Sequence, residues 1–177
     1  MFDELLLANR RSAEDFDLAG LSGQASKGLA LVTCIDTRIE PLAALGLRPG
    51  DAKILRNAGG RVTDDVLRSL VLATGLLGIV RIAVMHHTSC ALAGQSDEQL
   101  REMLTPTQAE AVRDWPLRGM PDPDEALARD VGLIASCPAM PAGLPVAGWR
   151  YDVATGRIVD LIEANTTVPQ GRSAPRK

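Results

Sequence analysis

Leu29-Ala30-Leu31-Val32-Thr33-Cys34, followed by Ile35-Asp36-Thr37-Arg38, is the segment around which the chain is organised. The first six residues form a mostly apolar run of strand length, which is typical of a strand buried on both faces. A thiol, a carboxylate and a guanidinium then follow at alternate positions. If the backbone stays extended, Cys34, Asp36 and Arg38 point to the same side. The segment therefore predicts a reactive site at the end of a buried strand.

Strands and helices alternate on both sides of this segment, which predicts parallel strands joined by right-handed crossovers. The predicted strands are 29–34, 52–56, 79–85, 144–151 and 157–163. The predicted helices are 40–45, 63–77, 96–115 and 122–136, the second with Thr63 as its N-cap. The last two strands flank a short loop with Gly156, which indicates a hairpin. We therefore predict an α/β fold with a central, mostly parallel sheet flanked by helices and an antiparallel C-terminal edge hairpin.

The length of 177 residues fits one domain, which we place at residues 1–165. Residues 1–22 are predicted to form an N-terminal helical arm with a leucine-rich face, packed on its own core or on a partner. Residues 166–177 are rich in Thr, Pro, Gly, Arg and Lys, so we expect a flexible tail there.

Composition excludes several classes of function. The net charge of -3 and the absence of a basic face with aromatic residues argue against nucleic-acid binding. The N-terminus has neither the positive region nor the apolar region of a secretory signal, and no apolar run approaches a membrane span. We therefore expect no membrane partner and a cytoplasmic location. Three cysteines, an odd number, argue against a disulfide framework.

Metal ligands or a nucleophile are therefore the better interpretation of the cysteines. Cys34 ends one predicted strand, and His87 and Cys90 follow another, so all three lie where open α/β sheets place ligand sites. Two thiolates and one imidazole leave a fourth tetrahedral position open, which is typical of catalytic rather than structural zinc sites. Taken alone, neither the Cys-x-Asp-x-Arg motif at residues 34–38 nor the His-x-x-Cys motif at residues 87–90 is specific, because a cysteine at the end of a strand is more often a small buried apolar residue than a ligand. Both together, separated by Asn57-Ala58-Gly59-Gly60, are far more specific.

With these motifs the sequence resembles the β-class carbonic anhydrases, in their shorter bacterial form. The resemblance rests on Cys34–Arg38, Asn57–Gly60 and His87–Cys90, and more weakly on residues 148–156. It implies one Zn²⁺ per chain held by Cys34, His87 and Cys90. It also implies a homodimer or tetramer, with the N-terminal helix on the partner subunit.

The activity that the resemblance implies is reversible hydration of carbon dioxide to bicarbonate by a zinc-bound hydroxide. Asp36 and Arg38 are the implied catalytic pair, in which Asp36 orients the hydroxide and Arg38 keeps Asp36 ionised and turned away from the metal. Without Arg38, Asp36 could become the fourth ligand of a closed state. Gly59, Gly60 and Ala91 are candidates for the wall of a small CO2 pocket, although the two glycines could equally form a plain turn.

Two residues depart from the family pattern. Ala91 stands where the family commonly has glycine, and Ser89 stands where it often has an acidic residue. If position 91 requires a positive φ, its methyl group costs geometry or access. Two other functions therefore stay open: hydrolysis of carbon disulfide or carbonyl sulfide at the same site, or a catalytically silent, zinc-stabilised dimer that binds a small anion or a partner. His86 is either a proton shuttle or a packed side chain, and Cys137 is a bystander thiol.

Overall fold

The computed structural model describes residues 1–167, which form five strands and six α-helices in an α/β arrangement. The strands are β1 (Leu29–Cys34), β2 (Ala52–Asn57), β3 (Arg81–His87), β4 (Pro145–Asp152) and β5 (Arg157–Asn165). The helices are α1 (Asp3–Ser12), α2 (Pro41–Ala44), α3 (Asp64–Leu76), α4 (Asp97–Glu102), α5 (Pro106–Ala111) and α6 (Pro123–Ala135).

The five strands form one sheet in the order β2-β1-β3-β4-β5. The first three pairings are parallel, and β4 with β5 is antiparallel, so the predicted fold class is confirmed. Cys34 pairs with Asn57 across β1 and β2, and Thr33 pairs with Met85 across β1 and β3. This register brings the carboxyl ends of β1, β2 and β3 to one edge of the sheet.

Every residue of β1 is buried, because helices and loops cover both faces of the sheet there. One face carries Val32 and Val84, which pack with Leu70 of α3 and Val131 of α6. On the other face, a second cluster is formed by Leu31, Met85, Ile39 and Met120. This burial on two sides explains the continuous apolar run that the sequence shows.

Helix α3 begins as predicted: the Thr63 hydroxyl accepts a hydrogen bond from the N–H of Val66, 3.3 Å away. The single helix predicted over residues 96–115 is wrong, because α4 and α5 are separate. Pro106 lacks the N–H that would continue α4, and Thr105 starts α5 through a capping box with Gln108.

The two ends of the domain differ in how they are attached. No residue of α1 is buried, and the predicted helix of about twenty residues ends at Ser12, followed by one 3-10 turn. At the other end Thr166 is buried, and its hydroxyl accepts from the Leu144 N–H and donates to the Pro141 carbonyl. The ordered chain thus continues past residue 165, and residues 168–177 of the predicted flexible tail lie outside the described range. No helix within residues 1–167 has the length and apolar character to cross a membrane.

Candidate metal centre

The structure brings together the three residues that the sequence predicts as metal ligands. Cys34 is the last residue of β1, His87 is the last residue of β3, and Cys90 lies in the turn that follows. Their donor atoms lie within 4.8 Å of one another, and all three residues are buried. The donors converge because β1 and β3 are adjacent and parallel, so both strands deliver them to the same edge.

The imidazole of His87 is oriented for ligation. Its Nδ1 lies 2.9 Å from the carbonyl oxygen of Thr88, a partner that can only accept a hydrogen bond, so Nδ1 carries the proton. Nε2 is left with a lone pair, and within the described residues this buried atom has no hydrogen-bond partner. An unsatisfied buried nitrogen is costly, whereas a metal ion would satisfy it.

The two thiols share a proton when no metal is present. A hydrogen bond from Cys90 lowers the pKa of Cys34 to about 4, although burial opposes the shift. The pKa of Cys90 is raised, first because Cys90 donates this bond and then because it is buried. A divalent cation would bind both sulfurs as thiolates, and two sulfurs with one nitrogen suit zinc. The residues present therefore fit the metal that the sequence implies.

Asp36 and Arg38 form a two-bond ion pair beside these donors. Nε and Nη2 of Arg38 lie 2.9 and 2.7 Å from Oδ1 and Oδ2 of Asp36, and the Arg38 backbone N–H also donates to Oδ1. The hydrogen bonds from Arg38 hold the pKa of Asp36 well below its usual range. Oδ2 of Asp36 lies 3.9 Å from Nε2 of His87, so the carboxylate stands at the centre although it is turned to Arg38.

Sequence reasoning missed Arg56, which fixes the backbone of the reactive segment. Its Nε donates to the Cys34 carbonyl at 2.9 Å, and its Nη2 donates to the Asp36 carbonyl at 2.7 Å. Arg56 pairs with Thr33 in the parallel register of β1 and β2. Arg56 could have been identified from its position as the last residue of the predicted strand 52–56. If that strand lies next to β1, the long guanidinium side chain comes close to the residues that follow β1.

Gly59 and Gly60 are buried, and both have positive φ, +78° and +67°. A Cβ atom on Gly60 would lie 2.9 Å from the backbone nitrogen of Cys34, and one on Gly59 would lie 2.9 Å from Cδ2 of Leu92. The two glycines thus allow the loop after β2 to lie directly against the strand that carries Cys34. Their role in a substrate pocket stays a prediction.

The unusual backbone of the ligand turn is at Ser89, not at Ala91. Ser89 has a φ of 55°, in the left-handed region, and its carbonyl oxygen accepts a hydrogen bond from Nη2 of Arg38 at 3.0 Å. Ala91 is exposed, and its φ is not positive. The strain expected at residue 91 is therefore not present. Left-handed backbone is better tolerated by Asp and Asn than by serine, so the backbone at position 89 favours those residues.

The two remaining candidates are not members of the donor group. His86 is buried, with Nε2 3.1 Å from Oδ2 of Asp130, as its interpretation as a packed side chain predicts. Cys137 is partly buried and packs against the core near α6, and it is not a member of the donor group.

Comparisons with known proteins agree with this geometry. A family model described as carbonic anhydrase matches residues 29–118. β-carbonic anhydrase 1 of Mycobacterium tuberculosis is 34% identical over 77% of this chain and 83% of its own length. A carbon disulfide hydrolase of Acidianus is 29% identical over 89% of both chains. The crystal structure of a carbonic anhydrase from Streptococcus mutans superposes with a TM-score of 0.82, at 37% identity over 94% of this chain and 97% of the other.

Proposed function

The chain belongs to the β-carbonic anhydrase family, and we propose that it catalyses the reversible hydration of carbon dioxide to bicarbonate with one Zn²⁺ per chain. The observation that carries the proposal is the Asp36–Arg38 pair, held 3.9 Å from the free Nε2 of His87. A metal site that served only stability would not need a carboxylate fixed beside its donors. The carbonic anhydrases named above also match this chain at a higher percentage identity, 34% and 37%, than the carbon disulfide hydrolase does, at 29%.

Cys34, His87 and Cys90 would hold the zinc, and three protein ligands leave one position open to water or substrate. When bound, zinc lowers the pKa of a coordinated water towards neutrality and thereby supplies hydroxide. The burial of all three donors favours this chemistry, because it limits competition from bulk water.

Asp36 would accept a hydrogen bond from the attacking oxygen and so orient its lone pair towards the carbon of CO2. Arg38 keeps Asp36 ionised, and its two hydrogen bonds, one to each carboxylate oxygen, fix the orientation of the carboxylate. The Ser89 carbonyl gives Nη2 of Arg38 a second acceptor, which links this pair to the ligand turn. If the ion pair with Arg38 were broken, Asp36 would be free to become the fourth ligand of the closed state.

Gly59, Gly60 and Ala91 remain our candidates for the wall of the CO2 pocket. The burial of both glycines beside Cys34 supports this for the first two. Ala91 is exposed in the single chain, so its contribution requires a second chain to cover it.

The test is CO2 hydration by zinc-loaded protein, followed with a pH indicator between about pH 6.5 and 9, a range that begins just below the expected pKa of the bound water and extends well above it. Asp36→Asn should keep the zinc and lower turnover by about 10²-fold or more, since it removes the oriented carboxylate. Asp65→Asn removes an exposed carboxylate paired with Arg68 on α3 and should leave turnover unchanged. Protein that binds one zinc but shows no turnover at the alkaline end would overturn the proposal.

Hydrolysis of carbon disulfide is the second candidate, because a relative named for that activity matches 89% of the chain. The same zinc-loaded protein should be assayed for sulfide release from carbon disulfide. Sulfide release without CO2 hydration would favour this candidate. Zinc binding without either activity would favour the catalytically silent, zinc-stabilised dimer that binds an anion or a partner.

We also propose a homodimer in which the N-terminal arm covers the partner's sheet. Phe2, Leu5 and Leu6 of the arm are all more than half exposed. The sheet has a mainly apolar groove of about 500 Å³, whose lining includes Ala83 and Trp149. Sedimentation should show a dimer for the wild type and a monomer for Leu5→Asp/Leu6→Asp, and a monomeric wild type would contradict this assembly. A cytoplasmic location stays a prediction.

A further inference from the structure

A buried cluster of three ionisable side chains lies on α6 and on the segments that pack against it. Asp130 is 1% exposed, Arg61 5% and His86 4%. Arg61 donates to both oxygens of Asp130, from Nε at 2.6 Å and from Nη2 at 3.2 Å, and Nε2 of His86 lies 3.1 Å from Oδ2. Burial of such groups costs free energy even when they are paired, and apolar side chains of similar volume are often as stable. Stability alone therefore does not explain the cluster.

The first partner of Asp130 is adjacent to a metal donor. His86 immediately precedes His87 in β3, so the two side chains point to opposite faces of the strand. Because the His86 ring is hydrogen-bonded to Asp130 of α6, the C-terminal end of β3 cannot rotate without breaking a buried hydrogen bond. The direction of the His87 side chain is fixed with it.

The second partner supports Cys34. Arg61 follows Gly60, whose backbone lies against the backbone of Thr33 and Cys34. The Asn57 side chain accepts from the Arg61 N–H and donates to the Arg61 carbonyl, each at 2.8 Å. Arg61 is therefore held through both its backbone and its side chain, and the loop that supports Cys34 is held with it.

Arg61 is also linked to the turn that carries Cys90, through the intervening segment 118–120. Its Nη1 donates to the carbonyls of Arg118 and Gly119, at 2.7 and 3.1 Å. The next residue, Met120, exchanges two backbone hydrogen bonds with the segment after Cys90: its N–H donates to Leu92, and its carbonyl accepts from Gly94. Asp130 is thus connected, through Arg61 and His86, to all three donor-bearing segments.

We propose that Asp130 is a positioning residue that preorganises the Cys34, His87 and Cys90 donors from behind the metal centre. The inference rests on the metal site proposed above. Asp130 suits this role because α6 is a rigid base: Leu127, Val131 and Ile134 of the same helix are buried in the core. Side chains on packed helices place a site more precisely than side chains on loops.

The test compares Asp130→Asn with Ile134→Ala in the full-length chain. Asparagine keeps the shape of the side chain, but it is neutral, and one of the two acceptor oxygens that contact Arg61 and His86 becomes an NH2 group. Ile134→Ala opens a cavity on the same helix, one turn further on, without touching the polar cluster. The zinc dissociation constant is measured by competition with a chromophoric chelator, and the ligand geometry is read from the absorption spectrum of the cobalt-substituted protein.

Asp130→Asn should weaken zinc binding by about tenfold, at the low end of the effect of residues that orient metal ligands, and should alter the cobalt spectrum. Ile134→Ala should lower the melting temperature while it leaves zinc affinity and the cobalt spectrum unchanged. Arg61→Lys provides a second variant if Asp130→Asn does not fold. It keeps the charge but loses the forked contacts, and it should increase amide hydrogen exchange at residues 87–94 of the zinc-free protein.

Wild-type protein that binds no zinc would overturn the metal site, and the positioning role with it. Wild-type protein that binds zinc, with Asp130→Asn equal to it in affinity and cobalt spectrum, would overturn the positioning role alone. Unchanged hydrogen exchange in Arg61→Lys would also contradict this role.

Discussion

The guanidinium of Arg38 binds both carboxylate oxygens of Asp36, with Nε 2.9 Å from Oδ1 and Nη2 2.7 Å from Oδ2. This arrangement turns Asp36 away from the donor group, although its Oδ2 is only 3.9 Å from Nε2 of His87. We therefore expect the ion pair to determine whether the carboxylate orients the substrate or competes with it for the metal.

Arg38→Met should keep the zinc and lower kcat by about 10- to 100-fold, because Asp36 loses the partner that holds it away from the metal. The pKa of Asp36 should rise towards its ordinary value of about 3.9, so the carboxylate stays ionised at neutral pH and able to bind the metal. CO2 hydration and zinc content are measured together. Arg68→Met removes an exposed arginine on α3 and serves as the control. An unchanged kcat in Arg38→Met would argue against the role of Arg38 in holding Asp36 away from the metal.

Gly60 and Gly46 offer a matched pair of substitutions. Both have positive φ, +67° and +64°, but a Cβ on Gly60 would lie 2.9 Å from the Cys34 backbone, whereas one on Gly46 meets nothing within 4 Å. Gly46→Ala should cost about 1–2 kcal/mol of unfolding free energy, from the left-handed backbone alone. Gly60→Ala should cost about 2–4 kcal/mol, because the close contact adds to this, and it should also weaken zinc binding. Denaturant unfolding and zinc competition measure the two effects, and equal losses for both variants would refute the close contact.

Ser89 is the residue in the ligand turn whose replacement should stabilise the protein. Its φ of 55° is unfavourable for serine and better tolerated by asparagine. Ser89→Asn should raise the unfolding free energy of the zinc-free protein by about 0.5–1 kcal/mol, whereas Ser89→Ala should give no gain. Thermal unfolding of the three proteins provides the comparison. Equal or lower stability of Ser89→Asn would mean that this backbone is not strained.

The Cys34 thiol should titrate well below neutrality in the folded, zinc-free protein. Its folded pKa of about 4 is depressed from an unfolded value of about 8.5, so the stability it contributes is complete above the unfolded value and is lost as pH falls towards 4. The raised pKa of Cys90 acts in the opposite direction and reduces stability only as pH rises past about 8.5. Ultraviolet absorbance near pH ~6 should detect one thiolate in the wild type and in Cys137→Ser, but none in Cys34→Ser. A wild type without a thiolate at that pH would contradict the shared proton.

Local patterns in the sequence predicted the elements that local physics determines. The apolar run that ends at Cys34 predicted a strand buried on both faces, and the Thr63 cap predicted the start of α3. The convergence of Cys34 with His87 and Cys90 followed from the positions of Cys34 and His87 at the ends of predicted parallel strands, with Cys90 three residues after His87.

Contacts between segments distant in sequence were not predictable in the same way. Asp130 lies 69 residues from Arg61 and 44 from His86, and nothing in the local pattern of α6 marks it as other than a buried carboxylate. Pro106 also fits the first position of a helix, as it does in α5, so its presence alone does not distinguish one helix from two. The sequence did not decide whether residue 91 needs a positive φ. In the structure Ser89 has it, and the Ser89 carbonyl accepts a hydrogen bond from Arg38, a contact between residues 51 positions apart.

Zinc content of the purified chain is the most direct test of the metal centre on which every assigned role depends. The wild type should contain one zinc per chain. Cys34→Ser should contain none, because two donors cannot replace three, and Cys137→Ser should keep one, because that thiol lies outside the donor group. Full zinc occupancy in Cys34→Ser would contradict the ligand set and, with it, the proposed chemistry.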